Sequence, residues 1–174
     1  MFGKAIGNGF PITAIVGRRN VMEAAQNTFI SSTFWTERIG PSAALATLEK
    51  MKEVKSWEDI TKKGKYYRNK LKELGLKYDL NLEICGLPSL TTFAFRSENF
   101  LKYKTLITQE MLKKNILASN AFYVSYSHSY QIIDEYINKL EGIFSQIKEC
   151  EEGKFDIDSL LDSGCCHNGF TRLN

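Results

Sequence analysis

Three things are scarce in this chain of 174 residues, and each scarcity removes a class of protein. Cysteine comes first: Cys85, Cys150, Cys165 and Cys166 are the whole supply of 4, too few for a disulfide framework at this length. Cys165, Cys166 and His167 are metal-ligating residue types, but adjacent cysteines without a second ligand pair lack the spacing of a zinc site, so no metal is expected. Charge of one sign is the second scarcity. A formal net charge of +3 is too weak to demand a nucleic acid or a membrane surface as partner. Long apolar runs are the third. Residues 10–16 form the longest near the start, contain Pro11, and fall far below the ~20 residues of a membrane span. No secretory cleavage pattern accompanies them, and a cytoplasmic location is expected. There is no internal repeat and no low-complexity segment.

What is present is ample material for a core, 43% hydrophobic and 12% aromatic, with an average share of charged residues. The densest basic stretch, Lys62, Lys63, Lys65, Arg68, Lys70 and Lys72, reads as a solvated helix face rather than a phosphate-binding patch. Residues 10–17 are short, apolar and β-branched, which predicts a strand after a glycine-rich turn. A brief helix is expected over residues 19–26. The stretch "QNTFISSTFWTERIG" then breaks the pattern and reads as an irregular functional loop.

A helix is expected to open near Pro41, with Ala44, Leu48 and Met51 on one face. Ser56 with Asp59 resembles a capping box. Trp57, Ile60, Tyr67, Leu71 and Leu74 then recur at helical steps, with Gly75 as the expected stop. Residues 81–85 and 90–95 predict two strands joined by a turn at Gly86, Leu87 and Pro88. Residues 99–114 predict a helix with Leu101, Leu106, Met111 and Leu112 apolar. Residues 116–128 are rich in strand formers. A last long helix is expected over 129–151, with Ile132, Tyr136, Leu140, Phe144 and Ile147 in one stripe. The fold class is α/β or α+β. Residues 55–174 read as a small mixed domain, and residues 1–54 hold too few elements to enclose a core of their own.

The opening stretch, "MFGKAIGNGFPITAIVGRR", boxes Lys4 between glycines. On composition alone, a solvated lysine in a turn and a Schiff-base lysine are both open. The second reading uses Gly7 and Gly9 to let backbone pass close to a bulky cofactor and to take positive φ. It needs an uncharged amine, whereas an ordinary lysine titrates near ~10.4. Burial or neighbouring cations must close that gap.

"FGKAIGNGFPITAIVGRR" resembles the lysine segment of class III aminotransferases, with Lys4 on the lysine of a G-K-x-I-G-x-G-x-P motif. The resemblance is nearest to the glutamate-1-semialdehyde 2,1-aminomutase group. "STFWTERIGPSAALATLEKM" is similar to the family segment in which a threonine contacts the cofactor phosphate across a dimer, and Thr36 stands in that place. "YSHSYQIIDEYI" and "HNGFTRLN" resemble the closing helix and tail. The resemblance implies the C-terminal part of a fold-type I pyridoxal-phosphate transferase, with residues 1–54 as the end of the large domain and 55–174 as the small domain. It implies pyridoxal 5'-phosphate held by Lys4 as an aldimine, with Gly7, Gly9 and Thr36 as further cofactor contacts. It also implies a homodimer acting on a small amino donor and an aldehyde or ketone acceptor.

The family's phosphate loop, ring-stacking aromatic and ring-nitrogen aspartate precede its lysine. A start three residues before Lys4 is therefore expected to mark the C-terminal portion of a longer enzyme, inactive by itself. The alternative is a non-catalytic small domain that mediates dimerisation. "WTERIGP" departs from the aminomutase pattern and leaves other carbonyl acceptors open, including a sugar. Arg38 reads either as a partner for a substrate carboxylate or as an ion pair with Glu37 or another acid. His128 reads as a structural cap, and Trp35, Tyr123 and Tyr126 as core or interface aromatics.

Overall fold

The computed structural model describes every residue except Ser32, Trp35 and residues 170–174. The expectations for Trp35 and for the last residues of "HNGFTRLN" lie outside the described residues. The chain divides into two compact units, Met1–Trp57 and Glu58–Asn174.

In the first unit a single helical turn, α1 (Lys4–Gly7), is followed by a short helix, α2 (Arg19–Met22), which runs on into a 3-10 turn over Glu23–Asn27. A longer helix, α3 (Ile39–Val54), completes the unit. The strand expected over residues 10–17 does not form. Only Ala14 pairs, with Phe2, through N–H···O distances of 2.7 and 2.8 Å. A strand needs a continuous partner, and Pro11 has no N–H to give. α3 starts two residues before Pro41. Of its expected apolar face Ala44 is buried, while Leu48 and Met51 are exposed.

The second unit begins within α4 (Ser56–Lys77), so Ser56 is the helix's first residue and not a cap outside it. The helix also overruns Gly75. It closes at Asp79, which takes the left-handed φ of 48°, with Leu80 N–H donating to the Gly75 carbonyl (2.9 Å) and Asp79 N–H to that of Leu76 (3.1 Å). That is a Schellman closure with Asp79 in the usual glycine position. Gly75 serves packing instead: a Cβ there would lie 2.6 Å from Leu82 Cδ1.

A three-stranded antiparallel sheet follows, in the order β1 (Leu82–Leu87), β2 (Leu90–Phe95), β3 (Ala121–Tyr123). Leu87 pairs with Leu90, so the hairpin turns on Pro88 and Ser89, one residue later than expected. β2 alternates strictly, burying Thr91, Phe93 and Phe95, the period-2 signature of a sheet with one face covered. Between β2 and β3 lies α5 (Phe100–Lys113), and α6 (Tyr130–Glu151) follows β3. Only Ala121–Tyr123 of the strand-rich stretch pairs into the sheet. Ser129 caps α6 by accepting from Ile132 N–H at 3.1 Å, the N-cap arrangement that satisfies an orphan donor. The core joins Tyr67 and Leu71 of α4, Phe93 and Phe95 of β2, Leu106 and Met111 of α5, and Leu140 and Phe144 of α6. Tyr67 stacks on Phe122 with centroids 4.0 Å apart. On α6 the buried stripe runs through Ile133 and not Ile132, which is exposed.

Candidate cofactor site

The glycine-boxed lysine folds into one tight turn. Gly3 precedes α1 and accepts from Ile6 N–H at 3.2 Å. Asn8 (φ 46°) and Gly9 (φ 107°) then reverse the chain. Lys4 is the first residue of the turn and is exposed. Among the described residues no ion pair engages its amine. Gly9 has a φ that excludes ordinary side chains, with nothing within 4 Å of where a Cβ would stand, so backbone there is open to close approach.

Gly7 is buried and works differently. A Cβ on it would lie 2.8 Å from Ile12 Cγ2, and a Cβ on Gly40, in the first turn of α3, would lie 2.9 Å from the Pro11 carbonyl and 3.2 Å from Ile12 Cβ. Two missing side chains therefore let the 11–12 segment fit between α1 and α3. This brings the lysine turn and the start of α3 into one unit, and Thr36 stands exposed just before that start.

Glu37 holds the beginning of α3. Its carboxylate accepts from Ile39 N–H and, at 3.0 Å, from Gly40 N–H, which satisfies two of the helix's free donors and complements its positive end. The sequence reading missed this role. The available signal was an acidic residue just ahead of a helix start. No ion pair joins Glu37 to Arg38 among the described residues, and Arg38 is exposed. The expected pairing with Glu37 is corrected on that ground: the acid is used by the backbone.

The basic stretch of α4 is not uniformly solvated. Lys63 is buried, bonding Asp59 at 2.5 Å and the Tyr126 carbonyl at 2.8 Å. Arg68 donates to Thr91 Oγ1 at 2.8 Å and to the carbonyls of Cys85 (2.8 Å) and Gly86 (2.5 Å). Tyr123 and Tyr126 are exposed rather than part of this unit's core. His128 Nδ1 accepts from Ser125 N–H at 3.2 Å and so closes the turn before α6. Burial, and then the charge of Lys63, hold its imidazole below the usual range.

The donor set suits one part of a phosphorylated aldehyde cofactor. A primary amine beside open backbone fits covalent attachment, although its exposure does not supply the burial that an uncharged amine requires, and the exposed Thr36 hydroxyl fits a phosphate oxygen. The first N–H groups of α3 are already taken by Glu37, so a phosphate would meet Thr36 and not that helix terminus.

Comparison with known proteins agrees with this reading of the fold. The aminotransferase class-III family matches residues 1–147. A glutamate-1-semialdehyde 2,1-aminomutase of Methanosphaera stadtmanae is 27% identical over 157 residues, covering 80% of this chain and 37% of that protein. A 3-aminobutyryl-CoA aminotransferase of Cloacimonas acidaminovorans is 28% identical, over 74% of this chain and 31% of its own length. An acetylornithine aminotransferase of Methanocaldococcus jannaschii is 29% identical, over 84% and 37%. Among solved structures, the FumI protein of a Sphingopyxis species in its PLP internal aldimine form superimposes with a TM-score of 0.78 at 21% identity, covering 91% of this chain and 39% of that one. A transaminase with PLP bound gives 0.73 at 23% identity, covering 88% and 38%. The chain thus spans well under half the length of these relatives and carries part of the α/β fold of those transaminases. It belongs to the class III aminotransferase family.

Proposed function

We propose that this chain carries the lysine-bearing portion of a pyridoxal-phosphate aminotransferase or aminomutase. It moves an amino group between a small amino donor and an aldehyde or ketone acceptor within a homodimer. Residues 1–54 are then the end of the cofactor-binding domain and residues 55–174 the small domain. The observation that carries the reading is the family match over residues 1–147, which includes the glycine-flanked Lys4.

Pyridoxal phosphate, when bound, supplies the aldehyde that takes up the amino group and the ring that absorbs the electron pair released at the substrate carbon. Lys4 Nζ is this chain's contribution to the reacting centre. As an uncharged amine it is the attachment nucleophile; once freed, it holds a proton and moves it at the substrate carbon. Gly9 keeps backbone approachable beside it, and Gly7 sets the turn that carries it. The Thr36 hydroxyl donates to a phosphate oxygen of the cofactor in the neighbouring subunit. Arg38 pairs with a substrate carboxylate, for which its planar donors are suited. Exposed apolar side chains on the first unit, among them Ile15, Val16, Leu45 and Phe29, support association of this chain with further protein surface.

The test is borohydride reduction of the purified chain with pyridoxal phosphate, followed by peptide mass spectrometry. A pyridoxyl group concentrated on Lys4, and lost in Lys4→Arg, is the expected result. Because Lys4 and Thr36 are exposed in this chain, labelling of it alone is expected to be substoichiometric. Labelling spread over surface lysines and unchanged in Lys4→Arg overturns the assignment. A non-catalytic, dimer-forming role has one observation in its favour: the described apolar core lies in the second unit. Dimerisation without cofactor, together with absence of Lys4 labelling, selects that role.

A further inference from the structure

One cluster has no place in amino-group transfer. After the 3-10 turn Ile157–Leu160, the tail runs back along α5 toward that helix's start, and polar contacts fix it at successive turns. Gln109 Nε2 donates to the Leu160 carbonyl at 2.9 Å, Asp162 N–H donates to Gln109 Oε1 at 2.7 Å, and Lys113 pairs with Asp162 at 2.8 Å. Further along, Cys166 N–H donates to Thr105 Oγ1 at 3.0 Å.

These anchors set two adjacent free thiols over the same turn of α5. Cys166 Sγ donates to the Leu101 carbonyl at 3.5 Å and is half-buried. Cys165 Sγ stands 4.0 Å from Thr105 Oγ1 and 3.6 Å from the Cys166 carbonyl, and is exposed. Among the described residues no group of three or more His, Cys, Asp or Glu side chains is arranged for a metal ion. Zinc, which takes four ligands in structural sites, therefore does not fit. A centre that needs two thiolates and brings its own third substituent does.

We propose that Cys165 and Cys166 form a dithiol site for trivalent, thiophilic arsenic of the monoorganyl class. Both S–H bonds break and two As–S bonds form. The oxygen of the arsine oxide takes the two thiol protons and leaves as water. Arsenic stays trivalent throughout, so no oxidant or reductant takes part. The first As–S bond makes the second intramolecular, and the fixed Cys166 backbone keeps the second thiol nearby. Linking two binding events in this way raises retention over either alone by roughly 10²- to 10⁴-fold. Cys85 and Cys150, each without an adjacent thiol in sequence, offer one bond only.

The probe is phenylarsine oxide, added to the reduced full chain and followed by intact-protein mass spectrometry in excess 2-mercaptoethanol. One adduct per chain is expected to survive the monothiol and to be removed by 2,3-dimercaptopropanol. Cys165→Ser and Cys166→Ser are each expected to lose retention by roughly 10²-fold or more, while the double variant Cys85→Ser/Cys150→Ser keeps it. Serine at either position is close to cysteine in shape and keeps a hydrogen-bond donor, so each variant is expected to fold, which circular dichroism checks. Loss of the wild-type adduct to the monothiol overturns the proposal, as does its full retention in Cys165→Ser or Cys166→Ser. The outcome is independent of whether Lys4 binds pyridoxal phosphate.

Discussion

Gly64 sits buried in the middle of α4, where a glycine ought to weaken the helix. A Cβ added there would lie 2.0 Å from the Pro88 carbonyl oxygen, 2.3 Å from its carbon and 3.0 Å from Ser89 N. These are backbone atoms of the hairpin turn, not the ends of flexible side chains, so the turn has to move away from α4. It is also tied in place. Arg68, one helical turn on, holds the Cys85 and Gly86 carbonyls and Thr91 Oγ1; Thr91 Oγ1 in turn donates to the Pro88 carbonyl at 3.1 Å; and Val124 N–H donates to the Ser89 carbonyl at 3.0 Å.

Gly64→Ala gains about 1 kcal/mol of helix propensity. Against this stand about 1–3 kcal/mol for over-packing and about 1 kcal/mol for each hydrogen bond lost as the turn shifts. With two such bonds lost, the net expectation is a destabilisation of about 2–4 kcal/mol, a fall in Tm on the order of 10 °C. The control is Gly142→Ala. It lies exposed in α6 with nothing within 4 Å of the added Cβ, and is expected to stabilise by about 0.5–1 kcal/mol. Urea unfolding followed by far-ultraviolet circular dichroism measures both. If Gly64→Ala is as stable as the wild type, or if both substitutions shift the midpoint the same way, the close approach of α4 to the hairpin is not what fixes glycine at position 64.

Arg68→Ala removes the clasp on the same hairpin without adding bulk; a loss of about 2 kcal/mol is expected, and Arg68→Lys, which cannot reproduce the fork, is expected to recover only part of it in the same urea assay. At high pH, burial pushes the Tyr136 hydroxyl up to about 12, and burial raises Tyr67 as well. The unfolded chain therefore releases protons first, and stability present below pH about 10 falls as the pH rises toward 12, by about 3 kcal/mol for Tyr136; Tyr136→Phe is expected to flatten that fall in melting curves taken across the range. At low pH the sign reverses for His128, whose imidazole is held down by burial and by Lys63. Its stabilisation is complete above the unfolded value near 6.5 and is lost as the pH falls through the folded one, so His128→Gln is expected to lose less stability than the wild type between pH 7 and 5, and an equal loss refutes the placement beside Lys63.

The second unit was largely legible because its elements carry their own signals. Strand-like composition marks β2, the apolar stripe through Tyr136, Leu140, Phe144 and Ile147 marks α6, and the steps through Tyr67, Leu71 and Leu74 mark α4. Periodicity names a face but not its partner, and that is where the reading failed. Leu48 and Met51 repeat correctly along α3 yet stay exposed, and on α6 the covered stripe passes through Ile133 in place of Ile132. The strand expected over residues 10–17 had the right composition but only Phe2 to pair with. Lys63 and Arg68 looked like surface charge because their partners, the Tyr126 carbonyl and the hairpin backbone, lie far along the sequence. Asp59 at four residues before Lys63 was the one local hint.

The two units are also held together internally by different means, and this bears on the candidate site. The second is built on large side chains buried against one another. In the first, the buried residues of α1 and α3 are Gly7, Gly40 and Ala44, which contribute little apolar area. What sets Lys4 relative to the start of α3 is close approach across absent side chains, with Ile12 and the Pro11 carbonyl fitted against Gly7 and Gly40. Such a contact fixes geometry while adding little stability. The glycines around Lys4 were legible as a motif, and a motif of that kind shows that backbone comes close to something. It does not say whether the neighbour is a ligand or the chain itself. For Gly7 the neighbour is the chain, at Ile12; at Gly9 the space is open. Of the two glycines expected from the sequence to lie beside a cofactor, Gly9 is therefore the one with open surroundings among the described residues.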